Sequence, residues 1–202
     1  TMELLTQNSK LKNTSKIIGK RVFNFGITAY KSITGKIICP FADKCVEYCY
    51  AQKGAYSWSN VKPAFEKRYE ITKQDNFIEL MNKEIKRKKV DFLRVHDSGD
   101  FYSNSYIQKW FKIANQNPNV NFYAYTKSIP LFKGLSIPEN FDIIFSEGSK
   151  VDELINVKTD RHAKIFKSVE ELEKAGYINA SKNDLNATKF FTNNHKVGLV
   201  YH

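Results

Sequence analysis

The alternation of apolar and polar positions lays out most of this chain as strands that feed helices. Val22-Phe23-Asn24-Phe25-Gly26-Ile27 alternates at the strand period and leads through Ile37-Ile38 into a loop. From Val61 to Gln74, and again from Asn76 to Lys89, apolar residues return at helical spacing. Phe77, Leu80, Met81 and Ile85 make the second stripe, with Asp75 standing where an N-cap belongs. Asp91-Phe92-Leu93-Arg94-Val95-His96-Asp97-Ser98-Gly99-Asp100 reads as a strand running into a small, acidic turn. A helix follows from Asn104 to Gln116, with Tyr106, Trp110, Phe111 and Ile113 on one face and Asn117-Pro118 as its stop. Strands are then expected at Val120–Lys127 and from Phe141 into the polar exit Ser146-Glu147-Gly148-Ser149, joined by a mixed connection from Pro130 to Asn140. Ala163–Phe166 is a short strand, and Ser168-Val169-Glu170-Glu171 is a capping box for a helix ending near Gly176. A polar stretch from Asn179 to Asn194 precedes the last strand, Lys196–Tyr201.

Six strands separated by helices or connections predict an α/β fold with a parallel sheet and right-handed crossovers. In such folds sites lie at the carboxyl ends of the strands, so the polar strand exits should be neighbours in space. Residues 1–21 read as a polar N-terminal arm and 22–202 as a single domain.

Composition narrows the class. Hydrophobic residues make up 42% of the 202, with 15 Phe, 11 Tyr and 2 Trp, which excludes a disordered chain, while a mean hydropathy of −0.49 requires a heavily charged surface. No apolar run approaches the ~18 residues of a membrane span, and no hydrophobic signal core opens the chain, so no membrane partner and a cytoplasmic location are expected. The net charge of +11 suits a nucleic-acid partner, yet the lysines are spread along the chain, as a solvated basic surface would have them. The one dense run, Glu84-Ile85-Lys86-Arg87-Lys88-Lys89, suits a helix C-terminus.

The concentrated chemistry is in Ile38 to Ala51, which holds all three cysteines, Cys39, Cys45 and Cys49, at the spacing C-x5-C-x3-C. Three thiols are too few for a closed four-cysteine site but can hold three irons of a four-iron cluster and leave the fourth open. A structural zinc on three thiolates, with His96 or another histidine as fourth ligand, is the alternative, and a disulfide with one remaining thiol is a third. Asp97 and Asp100 could recognise an amino group, with His96 as hydrogen-bond partner or acid/base, although Asp-Ser-Gly-Asp is also good turn chemistry. Lys127 could meet a carboxylate or phosphate, and Ser146 and Glu147 occupy the corresponding exit of the next strand. Tyr56 and Trp58 could stack on a base or fill the core, while His162, His195 and His202 read as structural.

Cys39, Cys45 and Cys49, with Tyr48 directly before the last, resemble the cluster loop of radical S-adenosylmethionine enzymes, whose usual C-x3-C-x2-C is widened here by two and by one. Together with His96-Asp97-Ser98-Gly99-Asp100-Phe101 and Tyr125-Thr126-Lys127 they resemble a phage family called gene-product-88-like, from about Phe23 to the C-terminus. The resemblance implies a partial (β/α)6 TIM-like barrel of radical SAM type, with the cluster loop after the first strand. It implies a [4Fe-4S] cluster on the three cysteines and S-adenosyl-L-methionine on the open iron, cleaved reductively to a 5′-deoxyadenosyl radical. Ser98-Gly99-Asp100 then resembles the Gly-Gly-Glu segment that binds the methionyl amino group, with Tyr48, Thr126 and Ser146 beside the cofactor and His96 and Lys127 as catalytic groups. A flavodoxin- or ferredoxin-like reductant, a nucleic-acid or other anionic substrate, a monomeric state and the host cytoplasm complete the expectation. Its rival is a non-catalytic basic protein, stapled by zinc or Fe-S, that binds nucleic acid.

Overall fold

The computed structural model describes residues 2–42 and 61–201. Among them, seven parallel strands form one sheet in the order β1-β2-β3-β4-β5-β7-β6, curled into a half-barrel with β1 and β6 as its edges. The strands are β1 (Val22–Phe25), β2 (Phe92–Val95), β3 (Asn121–Thr126), β4 (Phe141–Ser146), β5 (His162–Phe166), β6 (Ile178–Asn179) and β7 (Lys196–Val200). The α/β class and the parallel sheet expected from the alternation are therefore present. The seventh strand, β6, falls where the helix exit meets the polar stretch that begins at Asn179, and two residues carry no period.

Helices α2 (Val61–Thr72), α3 (Phe77–Arg87) and α4 (Asn104–Gln116) belong to the outer face. There Phe77 and Met81 of α3 and Tyr106 and Trp110 of α4 pack with Phe25, Leu93, Val95, Phe122 and Phe141 of the strands. The apolar stripes read from the sequence are the buried faces. Asn76, not Asp75, is the N-cap of α3, and its side chain makes no capping bond. In α4 the cap is functional, since Ser103 Oγ accepts from the Tyr106 amide at 3.2 Å. The connection after β3 contains a single helical turn, α5 (Ile129–Phe132), and Ser168 caps α6 (Val169–Lys174) by accepting from the Glu171 amide.

The N-terminal residues are more than an arm. Thr6 pairs antiparallel with Asn24, and Ser9–Ile18 form helix α1, capped by Asn8 Oδ1 on the Leu11 amide at 2.9 Å. Polar residues dominate its sequence, so only Leu11 and Thr14 are buried, and helical periodicity is faint. Helix α1 lies on the inner face of the sheet, where Leu11 meets Val22, Phe92, Tyr123 and Leu185. A 3₁₀ turn, Asp184–Ala187, joins it there.

This inner face also buries charge. Asp184, at 1% side-chain exposure, accepts from Lys10 Nζ at 2.9 Å, Arg94 at 3.2 Å and Tyr123 Oη at 2.6 Å. Burial alone would raise its pKa, but Arg94, Lys10 and the Tyr123 hydroxyl overcome that and hold it below the usual carboxylate value. One carboxylate thus ties α1, β2, β3 and the 184–187 turn together. Replacing it by Asp184→Asn strands Arg94 in the interior and is expected to cost about 3–5 kcal/mol in urea denaturation. Because the folded pKa is depressed, the wild type's advantage should be full above about pH 4 and shrink as pH falls through the depressed value.

Candidate functional site at the carboxyl rim of the sheet

The exits of β1 and β2 are stitched together. The Ile27 amide donates to Ser98 O at 3.0 Å, and Ser98 Oγ donates back to Ile27 O at 2.8 Å. Gly99 has φ +85, and a Cβ there would fall inside the Ile27 side chain, so the turn needs glycine on both counts. Beyond Ile27 the chain doubles back as a hairpin in which Lys31 pairs antiparallel with Ile37 and the Ile38 amide donates to Tyr30 O at 2.7 Å. Tyr30 holds a left-handed φ of 59, which aims its amide at Cys39 Sγ, 3.3 Å away. Cys39 is half-buried. Past it, Ala42 bridges to Ser149 and the Lys150 amide donates to Phe41 O at 2.9 Å, so the start of the cysteine loop reaches the exit of β4.

Asp100 ties β2 to β3. Its Oδ1 accepts from Thr126 Oγ1 at 2.6 Å and from the Phe101 amide at 2.7 Å, and its Oδ2 accepts from the Lys127 amide at 2.9 Å. Burial raises its pKa even so, with those three donors pulling the other way. Thr126 Oγ1 also accepts from the Ser128 amide at 3.0 Å, and Ser128 Oγ donates to Phe101 O at 2.6 Å. Ser98, Gly99, Asp100 and Thr126 are thus engaged with their own chain. They give the rim its shape.

Lys127 and Ser146 are brought together, Nζ donating to Oγ at 3.1 Å. Glu147, next on β4, is half-buried with its pKa raised by burial, against Lys164 and His162. His96 goes elsewhere. Strand alternation would put it on the inner face with Arg94, but its φ of 72 ends the strand and turns the ring into the outer core. There it shares a 2.7 Å hydrogen bond with Tyr106 Oη and meets Phe101 edge-on, with ring centroids 4.6 Å apart. Burial, with Arg94 adding to it, pushes its pKa down to about 3, so the imidazole is neutral. Asp97 is buried behind it, its carboxylate so close to Gly26 that a side chain at that glycine would collide with it.

Cys45, Cys49, Tyr48, Tyr56, Trp58 and His202 lie outside the described residues. Among the described residues no three His, Cys, Asp or Glu side chains gather as a metal-binding group. His162 is structural, bonded to Asp160 O at 2.9 Å and Tyr177 Oη at 2.7 Å. His195 meets Val157 O at 3.0 Å. Two contributors are not evident from sequence: Tyr30, whose role depends on one backbone angle, and Ser149, whose pairing with Ala42 spans more than a hundred positions.

The fold and rim define an α/β protein with an open, all-parallel sheet whose polar chemistry is gathered at the carboxyl ends of its strands. The profile of the family described as Gene product 88 matches residues 2–201, and the chain belongs to that family. It is similar to the Gene 88 protein of Mycobacterium phage L5, 28% identical over an alignment of 101 positions that covers 44% of this chain and 42% of that protein. The matched stretch thus spans under half the length of the phage relative. No solved structure matches the chain.

The neutral His96 makes a measurable demand. Unfolded, it titrates near 6.5; folded, near 3. Between those values the unfolded chain binds the extra proton, so stability should fall with decreasing pH by up to about 1.4 kcal/mol per unit. Urea denaturation across this window should show a shallower slope for His96→Phe, whose overall stability is lower because Tyr106 loses its hydrogen bond to the imidazole.

Proposed function

We propose that this protein is a radical S-adenosylmethionine enzyme, with a [4Fe-4S] cluster on Cys39, Cys45 and Cys49 and an anionic substrate. The observation that carries the reading is the position of Cys39. Its thiol follows β1 at the carboxyl rim, in a segment tied to the exits of β2 and β4, and accepts the Tyr30 amide. A curled, open, parallel sheet with its chemistry at that rim is what a partial barrel of radical SAM type requires.

Cys39, the cysteine within the described residues, suits the group. Three thiolates leave one iron of four open, and a hydrogen bond to a ligating sulfur tunes a cluster's potential. When bound, the cluster and its cofactor supply an electron and a carbon–sulfur cleavage, while the protein supplies position and exclusion of water. Ser98, Gly99 and Asp100 shape the floor of the site from behind, since their polar atoms serve Ile27, Phe101, Thr126 and Lys127. Lys127, set by Asp100 and steered by Ser146, offers its ammonium to a carboxylate or phosphate. His96 acts as support for the turn, and Glu147 is the remaining carboxyl group beside the rim.

Anaerobic reconstitution should load about four iron and four sulfide per chain. Reduction with S-adenosylmethionine should release 5′-deoxyadenosine, and Cys39→Ala, Cys45→Ala and Cys49→Ala should each abolish it. One tightly held zinc and no cleavage would sink the enzyme reading. The net charge of +11 then favours the second one, a metal-stapled nucleic-acid-binding protein whose affinity survives loss of the cysteines and falls steeply with salt.

A further inference from the structure

On the inner face, the carboxyl rim changes character from strand to strand. Lys127 and Ser146 stand at the exits of β3 and β4. Ala163 and Val197 are register partners in the inner-face cluster, so Ile165 and Leu199, partners two residues on, point the same way. Tyr201 continues the row, because its amide still donates to Phe166 O at 2.8 Å. Below, Ile144, Ala163, Ala180, Ala187 and Val197 are sealed, but Ile165 is 60% exposed and Tyr201 56%. Beyond β7 the Val200 amide donates to Ser181 Oγ at 2.8 Å, which sets the exposed Lys182 at the far end.

Across the rim the order is Lys127, Ser146, Ile165, Leu199 with Tyr201, then Lys182. An apolar and aromatic platform lies between two ammonium groups, whose strand exits are four interstrand steps of about 4.8 Å apart, about 19 Å measured along the sheet. Glu147 alternates with Ser146 and turns toward Lys164 and His162 on the other side, and the Asp100 carboxylate is buried, so neither offsets the two lysines.

We propose that this rim binds a single-stranded nucleic acid, its bases on Tyr201 and the Ile165–Leu199 platform and its phosphates on Lys127 and Lys182. Flat faces joined by regularly spaced anions match an apolar strip with a cation at each end. A duplex would hide its bases, and an acidic peptide would leave the platform bare. The net charge of +11 steers the same class of partner toward the protein. The inference names the substrate of the site proposed above, and rests on that reading only for what is done to the strand.

The test is fluorescence anisotropy of the full chain with labelled oligo-dT and oligo-U of about 12 nucleotides over a salt series. Two phosphate contacts predict a log–log slope of about −1.4, and Lys127→Ala or Lys182→Ala should each reduce its magnitude by about 0.7. Tyr201→Ala should weaken binding about tenfold without changing the slope, Tyr201→Phe should retain affinity, and Lys83→Ala on α3 should change nothing. No binding, equal binding of poly-glutamate, or a slope indifferent to both lysine changes would overturn the proposal. Strand binding without cofactor cleavage would leave it standing while the enzyme reading fails, and cleavage by a chain that binds no strand would do the reverse.

Discussion

The turn from His96 to Asp100 is the constraint on which the upper half of this molecule depends. A left-handed residue at 96 stops β2, drops an aromatic ring into the outer core and frees the next four residues to reach sideways. Ser98 takes hold of Ile27, Gly99 lets the two backbones close, and Asp100 takes hold of Thr126 and Lys127. Three strand exits are thereby fixed relative to one another by hydrogen bonds in a buried setting, where each is electrostatically stronger than in water and each loss leaves an unpaired polar group. Cys39 on one side and Lys127 on the other inherit their positions from that turn. The same geometry explains how the buried Asp100 carboxylate comes to accept three bonds from its own chain.

A second constraint works beneath the first. A half-barrel of parallel strands has two faces to cover, and the outer one is covered by α3 and α4 with ordinary aromatic packing. The inner one is covered by short pieces, α1 and the 184–187 turn, which together bring little apolar area. Asp184 compensates by specificity: its bonds to Lys10, Arg94 and Tyr123 fix which short piece lies over which strand. Arg161 does the same at β4, meeting Asp142 at 3.1 Å and reaching the Ala187 carbonyl. Buried ion pairs are poor sources of net stability but costly to break singly, so they select an arrangement rather than strengthen it.

Legibility from sequence follows the length of the pattern. Helices α3 and α4 and strands β3 and β4 carry several periods of apolar repeat, and they stand where the periodicity puts them. Helix α1 buries Leu11 and Thr14 within a polar run, and β6 is two residues long, so neither leaves a periodic trace. The rim was legible as a set, because a polar cluster after each apolar strand implies a shared end of a parallel sheet. Individual orientations were not. His96 sits at an alternation-perfect position and is turned away by one backbone angle. Asp100 has the residue type of a ligand-binding group, and its bonds to Thr126 and Lys127, more than twenty positions downstream, leave no trace in the local pattern.

What the two constraints leave open is informative. Below the rim, among the described residues, the inner face is filled by Tyr123, Leu185, Ala180 and Ala187. At the rim, β4 pairs with β5 only through Phe145 and Ser146, and β5 runs on past it with Ile165 exposed. Cys39 stands toward β1, the platform toward β7, and Lys127 with Ser146 between them. On the proposed reading, a substrate would lie across the ends of the strands rather than down a barrel axis. That geometry suits an extended molecule better than a compact one, because affinity must come from several shallow contacts spread over the width of the sheet.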